Sequence, residues 1–193
     1  MIALILGGAR SGKSTYAEKL AEELSSGGGV AYIATADALD PEMESRIQIH
    51  KTRRPQGWRT WEGDVWTLPD DIKKLSGVML LDCLTMYISR LFLASPEAER
   101  EDEEAWLAAE ARITGQVEKI FSSFAEASHS DDRSHLIVVS NEVGYGLVPT
   151  YLMGRRFRDM QGRVNQLAAR RADGVALIVA GLPLWVKKGG MSH

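Results

Sequence analysis

The chain has 193 residues, about the length of one domain, and its 45% hydrophobic side chains are enough to build one core. Its 23 Lys and Arg against 26 Asp and Glu leave a formal charge of -3, which excludes a global field that attracts nucleic acid or an anionic membrane. One cysteine excludes an internal disulfide, and no apolar run reaches the roughly 18 residues that could cross a bilayer. We therefore expect one domain over residues 1–193, in a cytoplasmic protein with no stable membrane insertion.

Five short apolar runs, each ending in small or polar residues, predict strands that are buried on both faces. They cover residues 2–6, 30–34, 78–81, 136–139 and 175–180. Helical patterns alternate with them: one runs from Lys13 to a stop at Gly27, one begins near Pro41, one suits residues 96–127 and one follows Gly154. The alternation predicts a mostly parallel central sheet with helices on both faces, and such folds bind ligands at the carboxyl ends of their strands.

The first strand leads into a glycine-rich segment with the spacing G-x-x-x-x-G-K-[ST]. It consists of Gly7, Gly8, Ala9, Arg10, Ser11, Gly12, Lys13 and Ser14. Between a strand and a helix, this motif is typical of a phosphate-binding loop, because its backbone N–H groups and the helix N-terminus surround a phosphate. Lys13 would bring a charge to the β and γ phosphates as a catalytic residue, and Ser14 would offer a hydroxyl to Mg²⁺. The motif predicts a P-loop NTPase-like, three-layer α/β/α fold that binds a nucleoside triphosphate.

Two carboxylates follow later strands at the same edge of the predicted sheet. Asp82 comes directly after the run 78–81 and is placed to be the second magnesium ligand; the alternative is that it caps a helix beginning near Leu84. Glu142 follows the fourth run, and for this residue a catalytic role and a cap or loop role are both open.

A basic segment with one histidine lies between the second and third runs. His50 would stand at the far end of the helix that begins near Pro41, among five cations: Arg46, Lys51, Arg53, Arg54 and Arg59. Such cations favour a neutral, nucleophilic imidazole, and they would also hold the phosphates of a nucleotide. The alternative is a solvated basic helix with an idle histidine.

Two other features receive structural interpretations. The helix after Gly154 carries six arginines, at positions 155, 156, 158, 163, 170 and 171, which spread around the helix and suit a solvated face or a subunit contact rather than nucleic acid. Cys83 has no second cysteine to join it and suits a buried position.

With these motifs in place, the chain resembles the bifunctional adenosylcobinamide kinase/adenosylcobinamide-phosphate guanylyltransferases of cobalamin biosynthesis. Beyond the phosphate loop, the resemblance rests on the histidine segment and on blocks that follow in the same order. These are Tyr32-Ile33-Ala34-Thr35-Ala36; Asp40, Glu42, Met43, Arg46, Ile47 and His50; Arg54-Pro55, Trp58, Thr60 and Glu62; Leu81-Asp82-Cys83-Leu84-Thr85; Ser140-Asn141-Glu142-Val143-Gly144; Val148-Pro149; Phe157-Arg158-Asp159, Gly162 and Asn165-Gln166; and Ala180-Gly181-Leu182-Pro183-Leu184.

The resemblance implies a two-step transferase. Such enzymes phosphorylate adenosylcobinamide with a nucleoside triphosphate, ATP or GTP, and then transfer GMP from GTP onto that phosphate through a guanylylated histidine, giving adenosylcobinamide-GDP and pyrophosphate. The histidine at the matching position is His50, and the family carries Glu or Asp at the position of Asp82. The implied nucleotide contacts are the loop residues 7–14, Ala34, Thr35, Ala36, Lys51, Thr52, Arg53, Arg54, Glu62 and Asp82. The resemblance also implies a homotrimer.

On the residues alone, two other functions stay open. One is a monofunctional P-loop kinase of another small alcohol, whose phosphate transfer would not need His50. The other is a nucleotide-binding switch that hydrolyses slowly and acts through a partner, with little dependence on Glu142 or His50.

Overall fold

A seven-stranded sheet organises the molecule. The computed structural model describes residues 1–37, 41–96, 102–128 and 134–189, without the side chains of residues 46, 50 and 53. The order of the strands in the sheet is β3-β2-β4-β5-β1-β6-β7. The strands are β1 Ile2–Gly7, β2 Val30–Ala34, β3 Arg59–Trp61, β4 Val78–Asp82, β5 His135–Asn141, β6 Gly174–Val179 and β7 Leu182–Lys188. All neighbours are parallel except β6 and β7, which form an antiparallel hairpin.

Helices cover both faces of this sheet. They are α1 Lys13–Ser25, α2 Pro41–Arg53, α3 Leu68–Ile72, α4 Leu84–Leu93, α5 Glu103–Ser128 and α6 Leu152–Arg171. One apolar layer joins α1 to the sheet through side chains such as Ala17 and Ala21. The other and larger layer joins α3, α4, α5 and α6 to the opposite face. The predicted three-layer α/β/α fold with a mostly parallel sheet is therefore confirmed. Within the described ranges, no helix combines the length and apolarity needed to cross a membrane.

All five predicted strands are present in the structure, with small shifts at their ends. The strand predicted at 136–139 extends to Asn141, so Ser140 belongs to β5, and the strand predicted at 175–180 is β6, which ends one residue earlier. The long helix predicted from residue 96 begins at Glu103, and residues 97–101 lie outside the described part. The alternative in which Asp82 caps α4 is wrong, because Asp82 ends β4 and the N-cap position belongs to Cys83.

The phosphate-binding segment, residues 7–14, packs against the turn between β6 and β7. The N–H group of Gly181 donates to the carbonyl oxygen of Ser11 at 2.8 Å. Gly12 has a φ of 92°, and a Cβ atom there would lie 3.1 Å from the Cα atom of Gly181. Both the left-handed backbone and the close approach require glycine at this position. The β6–β7 turn therefore contacts the phosphate-binding segment at Ser11 and Gly12.

Candidate active site

One cleft of about 1050 Å³ opens at the carboxyl edge of the sheet. This volume is at the upper end of the range for small-molecule sites. The cleft brings together residues predicted from five separate stretches of the sequence: Ala9, Arg10, Ser11, Gly12, Lys13, Ser14, Ala34, Ala36, Lys51, Arg54, Glu62, Asp82 and Glu142. Separate sequence motifs thus form one surface.

The phosphate-binding segment curls between β1 and α1. Gly12 precedes the first turn of α1, so the free N–H groups of the helix N-terminus face the cleft. The Lys13 ammonium group donates to the carbonyl oxygen of Gly8 at 3.1 Å and thus folds back over the loop. A cation and a set of backbone donors therefore converge on one place, the arrangement that binds the phosphates of a nucleotide.

The carboxylate of Asp82 faces this loop from β4. Its Oδ1 atom accepts a hydrogen bond from the Ser14 hydroxyl at 3.3 Å, and its Oδ2 atom accepts one from the Tyr32 hydroxyl at 2.9 Å. Burial, followed by the charge of Asp82, raises the pKa of the Tyr32 phenol, so it stays a donor at any physiological pH. A hydroxyl and a carboxylate oxygen at this separation can share one hard cation, and Mg²⁺ typically takes one or two protein carboxylates besides phosphate oxygens and water.

Glu142 enters the cleft from the end of β5. Its backbone N–H donates to the carbonyl oxygen of Gly7 at 3.0 Å, and its Oε1 atom accepts from the Gly144 N–H at 2.8 Å. The preceding residue, Asn141, is fixed at both backbone groups: its N–H donates to the Thr85 hydroxyl at 2.9 Å, and its carbonyl accepts from the Asn165 amide at 3.0 Å. The backbone that carries Glu142 is therefore tied to β1, α4 and α6.

The histidine segment forms α2, as predicted, and His50 lies in its last turn. The side chains of Arg46, His50 and Arg53 lie outside the described part, so the predicted approach of the imidazole to a nucleotide stays a prediction. Two of the predicted cations already have partners, since Lys51 pairs with Glu62 at 2.8 Å and the Arg54 guanidinium lies 3.4 Å from the centre of the Tyr32 ring.

Some residues expected to contact the nucleotide do not present their side chains to the cleft. Thr35 is fully buried, and its hydroxyl donates to the Cys83 carbonyl at 2.7 Å. The Thr52 hydroxyl donates to the Ile49 carbonyl within α2. Gly7 and Gly8 shape the loop without lining the cleft. At these four positions, a nucleotide contact would have to involve main-chain atoms or a rearranged loop.

Several residues that line the cleft were not among the predicted catalytic, nucleotide-binding or metal-binding residues. An ion pair of 2.7 Å joins Arg90 of α4 to Asp37, and an apolar wall consists of Met43, Ile47 and Met86. Met43 and Ile47 are spaced one helical turn apart, which is the one signal that could have placed them on a common face. Arg90 and Met86 lie in an apolar helix whose pattern gives no sign of a ligand.

One arginine of the last helix and the lone cysteine have contacts or burial that fit their structural interpretation. Arg163 of α6 binds Glu110 of α5 through two hydrogen bonds, one of them at 2.8 Å between Nη2 and Oε2. Cys83 is buried, and burial raises the pKa of its thiol to about 12. The buried interpretation of Cys83 is therefore confirmed, and its thiolate is scarce at neutral pH.

The family follows from a comparison with known proteins. Residues 3–186 match the model of the family described as cobinamide kinase / cobinamide phosphate guanyltransferase. The chain belongs to this family. The match covers the phosphate loop, α2 and the β5 end, so the family resemblance read from the sequence is confirmed over the cleft-forming elements.

Relatives of similar length support the same assignment. The bifunctional adenosylcobalamin biosynthesis protein CobP of Pseudomonas aeruginosa is 40% identical over 187 residues, covering 95% of this chain and 96% of that protein. The proteins named CobU of Salmonella typhimurium and Escherichia coli are 37% and 36% identical, each match covering 97% of this chain and the whole relative.

Among solved structures, the RadB recombinase is similar with a TM-score of 0.45 and 18% identity, covering 91% of this chain and 73% of that one. A KaiC-like protein from Pyrococcus horikoshii has a TM-score of 0.46 and 13% identity, covering 91% of this chain and 71% of that one.

Proposed function

We propose that this member of the family is a bifunctional transferase that acts in the assembly of the nucleotide loop of adenosylcobalamin. It phosphorylates adenosylcobinamide with ATP or GTP, and it then transfers GMP from GTP to the new phosphate, giving adenosylcobinamide-GDP and pyrophosphate. The observation that carries this proposal is the single cleft in which the phosphate loop, Asp82 and Glu142 face the helix that bears His50. The names of the relatives agree with it.

In the kinase step, the acceptor hydroxyl attacks the γ-phosphorus while the bond to the β-phosphate breaks. Lys13 and the loop N–H groups stabilise the negative charge on the transferred and leaving oxygens, because they are fixed donors at the helix N-terminus. Glu142 lines the same cleft and takes the hydroxyl proton as general base. Ser14 and Asp82 would hold Mg²⁺, which would neutralise charge on the triphosphate.

In the second step, a ring nitrogen of His50 attacks the α-phosphorus of GTP and pyrophosphate leaves. The phosphate oxygen of the acceptor then attacks the histidine-bound GMP, and the ring nitrogen departs. This divides one displacement into two easier ones, as covalent catalysis generally does. Lys51 and Arg54, at the same end of α2, supply positive charge along this path.

Three further parts of the proposal concern the protein as a whole. Residues 1–193 act as one catalytic domain, and the single sheet with strands drawn from residue 2 to residue 188 supports this. The protein works in the cytoplasm, where nucleoside triphosphates are supplied. It associates into a homo-oligomer, a trimer by resemblance, and exposed apolar side chains on the β6–β7 hairpin support an association surface.

The test is intact-protein mass spectrometry after incubation with GTP and Mg²⁺ in neutral to alkaline buffer, because a phosphoramidate is labile in acid. We expect the mass of one GMP to be added with GTP and not with ATP. The adduct should vanish in His50→Ala and remain in Ser45→Ala, which changes an exposed residue of the same helix. Lys13→Ala should impair both steps.

The same experiment separates the two enzymatic alternatives. Binding of GTP without any adduct in the wild-type protein would contradict guanylyl transfer and favour a monofunctional kinase. Equal loss of kinase and GMP transfer in a folded His50→Ala protein would contradict the division of labour between the phosphate loop and the histidine.

A further inference from the structure

The carboxylate of Asp82 is oriented from two sides. Tyr32 donates its hydroxyl to Oδ2 at 2.9 Å, and Ser14 donates to Oδ1 at 3.3 Å. Asp82 ends β4, and Tyr32 lies on the neighbouring strand β2, whose register pairs Ala34 with Asp82. The tyrosine therefore reaches the carboxylate across the pairing of β2 with β4, at the wall of the cleft.

Tyr32 is itself held in place by its neighbours. Its side chain is only 3% exposed, the Arg54 guanidinium lies 3.4 Å from the ring centre, and the Trp58 ring centre lies 6.2 Å away. Arg54 also donates to the Thr60 hydroxyl at 3.2 Å, so the cation that covers the ring is anchored to β3. A buried ring packed in this way keeps its hydroxyl at one point.

We propose that Tyr32 is a positioning residue, whose hydroxyl holds one oxygen of Asp82 so that the other oxygen faces Ser14 and the magnesium ion bound with the nucleotide. This inference rests on the proposed function for the presence of the ion. It assigns to Tyr32 a role through Asp82 and no contact with the substrate.

The physical reason is that a carboxylate free to rotate loses part of its affinity for an ion. Hydrogen bonds from outer residues orient metal ligands, and removing such a partner typically weakens metal binding or activity by about 10- to 100-fold. Asp82 is short and depends on its orientation to reach the ion from β4. The loss of the Tyr32 hydroxyl should therefore weaken magnesium-dependent binding of a nucleotide and leave magnesium-independent binding as it is.

The experiment compares Tyr32→Phe with the wild-type protein by titration calorimetry, with GDP as the probe so that no turnover occurs. Phe keeps the ring in contact with Arg54 and Trp58 and removes only the hydroxyl. We expect affinity for GDP in excess Mg²⁺ to fall about tenfold, and affinity for GDP in EDTA to stay unchanged. Electron spin resonance of Mn²⁺ in the presence of GDP should show the same fall in metal binding.

Tyr87→Phe is the matched control. Tyr87 is fully buried in α4, and its hydroxyl has no hydrogen-bond partner within the described part of the chain, so its removal should change neither affinity. Unchanged GDP affinity of Tyr32→Phe in Mg²⁺ would overturn the inference, and so would an equal loss in Mg²⁺ and in EDTA. If GDP binding by the wild-type protein does not depend on Mg²⁺, the magnesium site of the proposed function is wrong. If it does depend on Mg²⁺ and Tyr32→Phe binds GDP equally well, only the role of Tyr32 is wrong.

Discussion

Beneath Glu142, a small group of buried polar side chains fixes the end of β5. Asn165 accepts hydrogen bonds from the Ser140 hydroxyl at 2.7 Å and from the Gln161 amide at 2.9 Å, and it donates to the Asn141 carbonyl at 3.0 Å. Ser140 and Gln161 are fully buried. Gln161 also donates to the Ser140 hydroxyl at 3.0 Å, but only Asn165 accepts the hydrogen bond that the Ser140 hydroxyl donates. Because these groups are buried, loss of Asn165 removes that acceptor and one partner of Gln161 without a replacement.

Asn165→Ala should therefore destabilise the protein markedly. We expect the free energy of unfolding to fall by about 3 kcal/mol, because buried donors and acceptors lose their partner. The measurement is urea denaturation, followed by tryptophan fluorescence. The control is Gln166→Ala, which removes an exposed amide from the next position and should cost about 0.5 kcal/mol or less. Equal effects of the two substitutions would show that the buried hydrogen bonds contribute little.

The sequence predicts many of the residues that line the cleft but few of the contacts between them. The phosphate loop, Asp82 and Glu142 were predicted because motifs with fixed spacing come directly after apolar runs, and the ends of parallel strands meet at one edge. The link from Tyr32 to Asp82 was not predictable, since a tyrosine within an apolar strand has the pattern of any core residue. Only the pairing of β2 with β4, which joins residues about fifty positions apart, brings them together.

At the level of elements, three of the six arginines of α6 have partners on α5. Arg156, Arg163 and Arg171 pair with Glu103, Glu110 and Glu118, respectively. Both series repeat at intervals of seven or eight residues, which is two helical turns, so the pairs form successive rungs between two roughly aligned helices. The pairing supports the prediction of a solvated face rather than a nucleic-acid contact.

A double-mutant cycle on Arg163→Ala and Glu110→Ala tests one rung. The pair is bidentate, and the Glu110 side chain is 13% exposed while Arg163 is 55% exposed, so we expect a coupling energy of about 1 kcal/mol that shrinks at high salt. The measurement is the free energy of unfolding at low and high ionic strength. The control is a second cycle that combines Arg170→Ala with Glu110→Ala, since Arg170 is exposed and forms no ion pair within the described ranges. Equal coupling in both cycles would contradict a specific rung.

Three of the elements that the sequence missed, β3, α3 and β7, are short or exposed. β3 has three residues and α3 has five, too few to show a period, and β3 faces solvent. β7 carries apolar residues, but most of its side chains are exposed, and a register shift at Val175 and Ala176 of β6 interrupts the pairing of the two strands. Strands buried on both faces were predicted because their apolar runs are continuous; edge strands lack that signal.

Across the whole molecule, the β6–β7 hairpin stands out by its exposed apolar face. Leu182 and Leu184 pair with Val179 and Leu177 across the hairpin, so the four side chains lie on one face. Leu182 is 72% exposed and Leu184 is 59% exposed. An apolar face of this kind at a sheet edge is unfavourable in water unless another surface covers it. Pro183, Lys187 and Lys188 oppose the addition of a further strand, so packing of side chains is the expected mode of association.

Leu184→Glu should therefore dissociate the proposed homo-oligomer. A charge in the centre of an apolar contact lacks a partner and disfavours burial, so we expect the mass in solution to fall from that of a trimer toward that of one chain. Light scattering coupled to size-exclusion chromatography measures this mass. Leu107→Glu, at an exposed position on α5, is the control and should leave it unchanged. If the wild-type protein is a single chain, the proposed homo-oligomer is wrong. If both variants stay trimeric, the β6–β7 face is not the contact, and the exposed apolar loop that contains Leu147 becomes the next surface to substitute.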